Sequence, residues 1–254
     1  ADADNDTPVT CNLYIRVYGA GNECVIRRGP AIRLQPGAGN VLVWTLDPTD
    51  GDPIAEIGLE IHSDPRVRAR ADGTLYLDTL TWDGAPTITL NKPDHDGTMW
   101  QQAWVNGVDQ FWPSGELRVI QNTGTGLVMQ GTDGWKDYEV TAEINPHLIK
   151  RGGLAARVQG MRRYYALLLC GGQKLRLIKA LDGDTILAET DFTWTYDEPY
   201  ALTLRVIGQR IIASVDGNRI FDILDPARPL TAGGIAIVID EGRLSASDVT
   251  VNPA

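Results

Sequence analysis

The sequence is poor in the residues that build metal centres and disulfide frameworks. It contains three cysteines and three histidines in 254 residues, all dispersed and without a Cys-x-x-Cys pair. A zinc site is therefore not expected, and three cysteines cannot all pair within one chain. His62, His95 and His147 each stand alone, with no nucleophile or metal-ligand spacing beside them. Phosphate loops, dinucleotide fingerprints and Gly-x-Ser-x-Gly elbows are missing too, which argues against the common nucleotide-binding and α/β-hydrolase classes.

Long apolar runs are also missing, and basic residues are in the minority. No run approaches the roughly 20 apolar residues that span a bilayer. The acidic start at residues 1–6 differs from the basic and then apolar pattern of a secretory signal. With 33 acidic and 23 basic residues the formal net charge is −10. Such a surface repels nucleic acid and anionic membranes, so we expect neither as a partner and favour neutral ligands such as sugars.

Turn-forming Asp-Gly pairs recur along the whole chain, whereas helical periodicity is nearly absent. Seven such pairs are present, and alternating or β-branched runs lie between them. Asp-Gly favours the positive φ values of tight hairpins, and residues 215–220 give the clearest example. The sequence therefore predicts an all-β fold built from antiparallel strands.

Two β-sandwich domains are predicted, with a boundary in the Phe-Trp-Pro-Ser-Gly segment at residues 111–115. Residues 1–112, with expected strands at 40–46, 54–62, 74–82 and 87–90, are predicted to form a jelly roll. Residues 113–254 are predicted to form a second antiparallel sandwich. Four aromatic residues near the boundary suggest either a glycan-binding platform or a seam between domains, and their linker position favours the seam. They are Trp100, Trp104, Phe111 and Trp112.

The second half carries the motifs of a known fold family. They occur in the family's order over residues 113–254: Trp135-Lys136-Asp137-Tyr138, Gly153-Leu154-Ala155-Ala156-Arg157, Tyr164-Tyr165-Ala166-Leu167, Val215-Asp216-Gly217 and Gly233-Gly234-Ile235. This half resembles the concanavalin A-like jelly roll, a group that includes laminin-G-like and 3-keto-disaccharide-hydrolase-like domains. The resemblance implies a two-sheet sandwich with a ligand-binding face.

The whole chain also resembles the paired β-sandwich extension that follows the catalytic domain in some large bacterial ADP-ribosylglycohydrolase-family proteins. Residues 99–109 and 159–165 carry that resemblance. It implies an accessory role beside an attached catalytic domain and favours a cytoplasmic location. The helical catalytic domain of that family is not in this sequence, so its activity is not carried over. Residues 73–80 resemble a strand of carbohydrate-binding jelly rolls, and that resemblance implies a structural Ca²⁺ at Asp78, although Thr79 replaces the second acidic position.

A polar surface is predicted where the residue 153–159 strand meets its hairpin partner. Strict alternation places Arg157 and Gln159 on one exposed face, and Tyr164 or Tyr165 could stack on a sugar ring beside them. Lys179 and Trp194 are further candidates for this ligand-binding set. The alternative interpretation is that Arg157 pairs with a cross-strand carboxylate while the tyrosines complete the core.

Three functions are compatible with these observations. The first is a non-catalytic accessory region that binds carbohydrate or positions an attached glycohydrolase. The second is a glycoside hydrolase or lyase of the 3-keto-disaccharide-hydrolase type, which needs two carboxyls about 5–10 Å apart. Residues 182–184 and 240–241 supply acidic candidates for that pair or for a metal, although Asp182-Gly183 is already explained as a hairpin turn. The third is a structural or oligomerisation module that forms a homo-oligomer through the tryptophan cluster.

Overall fold

The computed structural model describes residues 2–4, 9–37, 39–63, 74–82 and 86–254. The chain divides into two compact units. The first contains Ala1–Asp83 with His95–Met99, and the second contains Gly84–Asp94 with Trp100–Ala254. Every strand pairing among the described residues is antiparallel, which confirms the predicted all-β fold class.

The first unit is a four-stranded sheet with a separate two-stranded one. Its strands are β1 (Asp2–Asp4), β2 (Val9–Tyr18), β3 (Cys24–Arg28), β4 (Ile32–Arg33), β5 (Ile54–Ser63) and β6 (Thr74–Tyr76), with a 3₁₀ turn at Ala20–Asn22. Strand β2 is central and pairs with β3, β4 and β5, while β1 pairs with β6. The strand expected at residues 40–46 does not form, and Val41 and Val43 are 74% and 77% exposed.

The second unit contains twelve of the described strands. They are β7 (Ile88–Thr89), β8 (Val105–Gly107), β9 (Gln110–Pro113), β10 (Leu117–Gln130), β11 (Tyr138–Gly160), β12 (Arg163–Cys170), β13 (Lys174–Leu181), β14 (Asp184–Asp191), β15 (Tyr200–Ile207), β16 (Arg210–Val215), β17 (Asn218–Leu224) and β18 (Gly234–Pro253). A 3₁₀ helix covers Met99–Ala103. The predicted hairpin at Asp216-Gly217 joins β16 to β17, and both residues have positive φ.

Three long strands, β10, β11 and β18, run through both layers of the sandwich. One part of each strand, residues 125–130, 151–160 and 234–240, joins β14, β13, β12 and β8 in a layer that we call sheet I. Their other halves join β17, β16, β15, β9 and β7 in sheet II. Register shifts mark the bends, for example between Pro146 and Leu148 in β11. Opposite this bend only glycine fits at position 242, since φ is +132° and a Cβ would collide with the carbonyl oxygen of Leu148.

The main core lies between the two sheets and takes in most of the aromatic residues near the predicted boundary. Trp100 and Trp104 are buried in it and Phe111 packs against it, whereas Trp112 is 49% exposed. Strands β7 to β9 pair with β10 and β18, so they belong to the second unit. The boundary predicted after Trp112 is therefore corrected, because residues 84–94 and 100–112 belong to the second unit. Among the described residues, no helix combines the length and the apolar character needed to cross a membrane.

Candidate functional site

The side chain of Arg157 does not stand on an open face. It is only 1% exposed, and its backbone adopts φ +51° at a register shift of β11 against both β12 and β18. The extra residue of this bulge resets the alternation, so Val158 shares a face with Ala155, while the backbone N–H of Arg157 donates to the Tyr138 hydroxyl at 2.6 Å and the guanidinium is buried. The expectation of an exposed Arg157, which rested on unbroken alternation, is wrong.

Arg157 is fully engaged by the protein's own backbone. Its guanidinium donates to the carbonyl oxygens of Lys136, Gly208 and Leu230 at 3.1, 2.5 and 2.6 Å. It also forms an ion pair with Asp137 at 3.0 Å. Burial lowers the pKa of Arg157, and the nearby Asp137 carboxylate opposes that shift. The side chain therefore acts as an internal clamp.

Most of the predicted ligand-binding residues converge on one segment, the loop at residues 225–233 between β17 and β18. Buried Tyr165 donates to Asp225 at 2.6 Å, and buried Lys179 donates to the same carboxylate oxygen at 2.7 Å. Gln159 is exposed, but its amide donates to the carbonyl of Ala232. Burial, followed by the hydrogen bond to Asp225, raises the pKa of Tyr165 well above its usual value. Four of the six predicted residues thus contact this loop, which is part of the chain itself. Ligand contact by these residues stays a prediction.

Two further candidates lie away from this network. Trp194 is 4% exposed and donates its indole N–H to the carbonyl of Cys170, so it packs as a core residue and not as an open platform. Asp78 lies on an exposed segment after β6. Within the described part of the chain, no three His, Cys, Asp or Glu side chains group as a metal site. A calcium ion at Asp78 stays a prediction.

The outer face of sheet I is concave. Arg151 on β11 pairs with Cys170 on β12, which pairs with Lys174 on β13. Asp184 lies on β14, three strands from Arg151, and pairs with Ala180, which is six residues along β13 from Lys174. On a flat sheet that diagonal would exceed about 20 Å, beyond the combined reach of an arginine and an aspartate. Yet the Arg151 Nη1 atom lies 2.8 Å from an Asp184 carboxylate oxygen. The sheet must therefore curl strongly about this face.

A cavity of about 490 Å³ opens on this concave side, and we call it the Tyr164 cavity. It lies between the β11–β12 and β13–β14 turns, which are neighbours because Arg163 pairs with Leu181. Its walls are formed by Thr125, Met161, Arg162, Tyr164, Ala180, Asp182, Gly183 and Asp184. The volume lies in the range typical of small-molecule sites, and the lining mixes apolar, aromatic and charged groups.

Arg151 holds Asp184, one of the two aspartates that line the cavity. Besides Asp184 it bonds Asp240 at 2.9 Å and approaches the Thr125 hydroxyl at 3.4 Å. Burial lowers the pKa of Arg151, but its bonds to Asp184 and Asp240 outweigh this and raise it overall. Both carboxylates thus share one guanidinium. The sequence did not connect these residues because they come from β11, β14 and β18.

Tyr164 is the one member of the predicted ligand-binding set that lines the cavity. Its ring is 2% exposed, and burial, with a smaller contribution from Asp184, raises its pKa to about 12. The phenol is therefore neutral at physiological pH. Its hydroxyl has no hydrogen-bond partner within the described ranges, which leaves a donor and an acceptor available for a ligand.

Comparison with known proteins shows similarity in fold without similarity in sequence. No protein-family model and no curated protein sequence matches the chain. Among solved structures, the carbohydrate-binding module CBM66 from Bacillus subtilis is similar at a TM-score of 0.53 and 16% identity, over 59% of this chain and 95% of that one. A Bacillus subtilis protein of unknown function with a galectin-like fold is similar at a TM-score of 0.50 and 16% identity, over 68% and 97%. The chain therefore contains a jelly-roll β-sandwich of the galectin-like kind.

Proposed function

We propose that the second unit binds a neutral saccharide in the Tyr164 cavity. The observation that carries the proposal is the cavity itself, where a phenol hydroxyl without a hydrogen-bond partner in the described part of the chain stands beside two carboxylates on a concave jelly-roll face. Solved structures with a similar fold include a carbohydrate-binding module, which supports the same ligand class. An accessory role beside an attached hydrolase, as in the ADP-ribosylglycohydrolase-associated proteins that the sequence resembles, belongs to this proposal.

The cavity offers the donors and acceptors that sugar hydroxyls need. The carboxylates of Asp182 and Asp184 accept hydrogen bonds, while Arg162 donates them. Met161 and Ala180 supply apolar surface for the C–H face of a sugar ring. Three arginines, Arg151, Arg162 and Arg163, balance the three aspartates in and beside the cavity, Asp182, Asp184 and Asp240, so the neighbourhood favours an uncharged ligand over a charged one.

Binding fits this geometry better than glycosidic hydrolysis does. The acidic pair of the concave face is Asp184 and Asp240, and Arg151 bonds both carboxylates. Glycosidic hydrolysis needs two carboxyls that are free to face the scissile bond from opposite sides, whereas both of these are held by one guanidinium at about 3 Å. We therefore assign these groups to ligand positioning.

The test is calorimetric titration of the chain with a panel of neutral oligosaccharides. Tyr164→Phe removes only the hydroxyl, and Asp182→Asn keeps a side chain suited to the positive φ of that turn. We expect about 10- to 100-fold weaker binding for Asp182→Asn and several-fold weaker binding for Tyr164→Phe. Asp216→Asn, in the matching Asp-Gly turn of β16–β17, should bind like the unchanged protein. Unchanged affinity in both cavity variants, or no binding across the panel, would overturn the proposal.

A further inference from the structure

A serine, a histidine and an aspartate meet on the outer face of sheet II, in the second unit. The Nδ1 atom of His147 lies 2.6 Å from a carboxylate oxygen of Asp197. Its Nε2 atom lies 3.2 Å from the hydroxyl oxygen of Ser245. No step in the saccharide proposal uses these three residues. The sequence showed His147 as an isolated histidine, and only the fold brings the other two beside it.

The bend of β11 places the His147 side chain between Ser245 and Asp197. Asn145 pairs with Ser245 and Pro146 with Leu244, but Leu148 pairs with Arg243, so His147 is the extra residue of a bulge. Bulges re-aim a side chain, and they are frequent next to active sites. The position of the histidine is thus set by the backbone, independently of any ligand.

Asp197 reaches the histidine from the loop between β14 and β15. Its backbone N–H donates to the carbonyl of Pro146 at 2.8 Å, which ties this loop to the bulge. The Tyr196 hydroxyl donates to the carbonyl of Ile149 at 3.4 Å on the same strand. Asp197 also adopts φ +60°, a conformation uncommon outside glycine. Two contacts therefore hold the carboxylate next to His147.

The hydrogen bonds fix the direction of proton transfer. An ionised carboxylate only accepts, so the neutral imidazole donates from Nδ1 to Asp197 and keeps a lone pair on Nε2. That lone pair faces Ser245 and can take its hydroxyl proton. We propose that Ser245, His147 and Asp197 form an acyl-transfer site, with Ser245 as nucleophile, His147 as general base and Asp197 as the residue that positions the imidazole.

Two hydrogen-bond donors flank the nucleophile at the same register. Asn145 lies directly opposite Ser245 on β11, and Arg118 lies opposite it on β10, so all three side chains share one face. The side-chain oxygen of Asn145 is buried without a partner among the described residues, and rotating the amide by 180° would present its NH₂ there instead. These groups are the candidates to stabilise an oxyanion.

The chemistry is ester hydrolysis. The Ser245 oxygen bonds to the carbonyl carbon as its proton passes to Nε2 of His147, and the carbonyl electron pair moves onto oxygen. The adduct then re-forms the carbonyl, breaks the bond to the leaving oxygen and delivers the Nε2 proton to it. Water attacks the acyl-serine in the same way, so one ester and one water yield one alcohol and one carboxylic acid.

Access limits the substrate to slender acyl groups. Ser245 is 2% exposed and the His147 side chain 20%, whereas Asp197 is 74% exposed. Because the Ser245 hydroxyl is almost fully covered while the neighbouring His147 is partly exposed, an unbranched acyl chain reaches it more readily than a branched one. We therefore assign short, unbranched esters as the substrate class, with p-nitrophenyl acetate as the probe and p-nitrophenyl pivalate as its bulky counterpart.

The first experiment labels the full chain with a fluorophosphonate and locates the adduct by mass spectrometry. We expect the label on Ser245 in the folded protein, no label on Ser245 after urea denaturation, and acetate turnover well above that of pivalate. Ser245→Ala should lose both labelling and turnover. Ser247→Ala, the matched outer-face serine on the same strand, should keep them. Absence of label from Ser245 in the folded protein overturns the site, even if Ser245→Ala fails to fold.

A second experiment separates positioning from mere structural support. His147→Ala should lower kcat/KM for p-nitrophenyl acetate by about 100-fold or more. Asp197→Asn should lower kcat with little change in KM, because the imidazole loses the acceptor that orients it while the acyl site stays intact. An Asp197→Asn variant that keeps the kcat of the unchanged protein contradicts the assigned role of Asp197. Equal turnover in His147→Ala and the unchanged protein contradicts the whole site.

Discussion

Replacing Arg157 by methionine should unfold the second unit far more easily, because the guanidinium serves the fold. Methionine keeps the length of the side chain but removes every donor, which takes this donor from the buried carbonyl of Leu230 and from the partly buried carbonyls of Lys136 and Gly208. Each hydrogen bond to a charged group contributes about 1.5–3 kcal/mol. The relief of burying the guanidinium offsets part of that sum. We expect a net loss of about 3–5 kcal/mol in the free energy of unfolding.

Urea unfolding followed by near-ultraviolet circular dichroism measures this loss. Arg163→Met is the matched control, because Arg163 belongs to the same hairpin but is 52% exposed and pairs only with the exposed Asp182. That variant should stay within about 0.5 kcal/mol of the unchanged protein. A loss below about 1 kcal/mol for Arg157→Met would refute the clamp and return Arg157 to the list of ligand-binding candidates.

Three more outcomes follow from buried groups. Lys179→Met should cost about 3 kcal/mol in urea unfolding, because the Asp225 carboxylate stays buried without its cation, and adding Asp225→Asn should recover part of that loss. Gly242→Ala should cost at least about 2 kcal/mol, whereas Gly160→Ala, at a similar φ but with open space around it, should cost less. The raised pKa of Tyr164 stabilises the fold fully below pH 10, and this contribution should fade as pH rises toward about 12. Unfolding at fixed pH values, with Tyr164→Phe as reference, measures it; a difference in stability between the two proteins that does not change between pH 10 and 12 contradicts the burial of the phenol.

The architecture could be predicted because local signals agree with it. Asp216-Gly217 lies between two alternating runs and forms the expected hairpin. Long-range pairing is different, since nothing local tells β7 to join β18 or β8 to join β10. The boundary after Trp112 missed these partners. Residues 40–46 form an apolar run rich in residues that favour strands, but no strand formed there. Propensity for strand is therefore a weaker guide than the availability of a partner edge.

The site was harder to predict, because one bulge changes the face of a side chain. Alternation from Ala155 put Arg157 outside, and the extra residue in β11 put it inside. That bulge depends on β12 and β18 together, which are far apart in the sequence. A usable signal was present in the small residues of the concave wall. Gly153 and Ala155 alternate with core residues, as expected where a sheet curls tightly.

The ion-paired cluster that holds Asp184 at the cavity has no local signature. Arg151, Asp184 and Asp240 come from three strands, and their meeting depends on how strongly sheet I curls. The Asp182-Gly183 turn was explained by hairpin geometry alone, yet the same turn lines the cavity. A residue can thus satisfy a turn with its backbone and leave its carboxylate available for a ligand.

The most direct test of saccharide binding in the Tyr164 cavity is amide chemical-shift mapping of the ¹⁵N-labelled chain during titration with a bound oligosaccharide. The proposal predicts that the largest shifts cluster at Thr125, Met161–Tyr164 and Asp182–Asp184, with little change at the 225–233 loop. Shifts centred on that loop or on the outer face of sheet II, with the cavity residues unmoved, would contradict it.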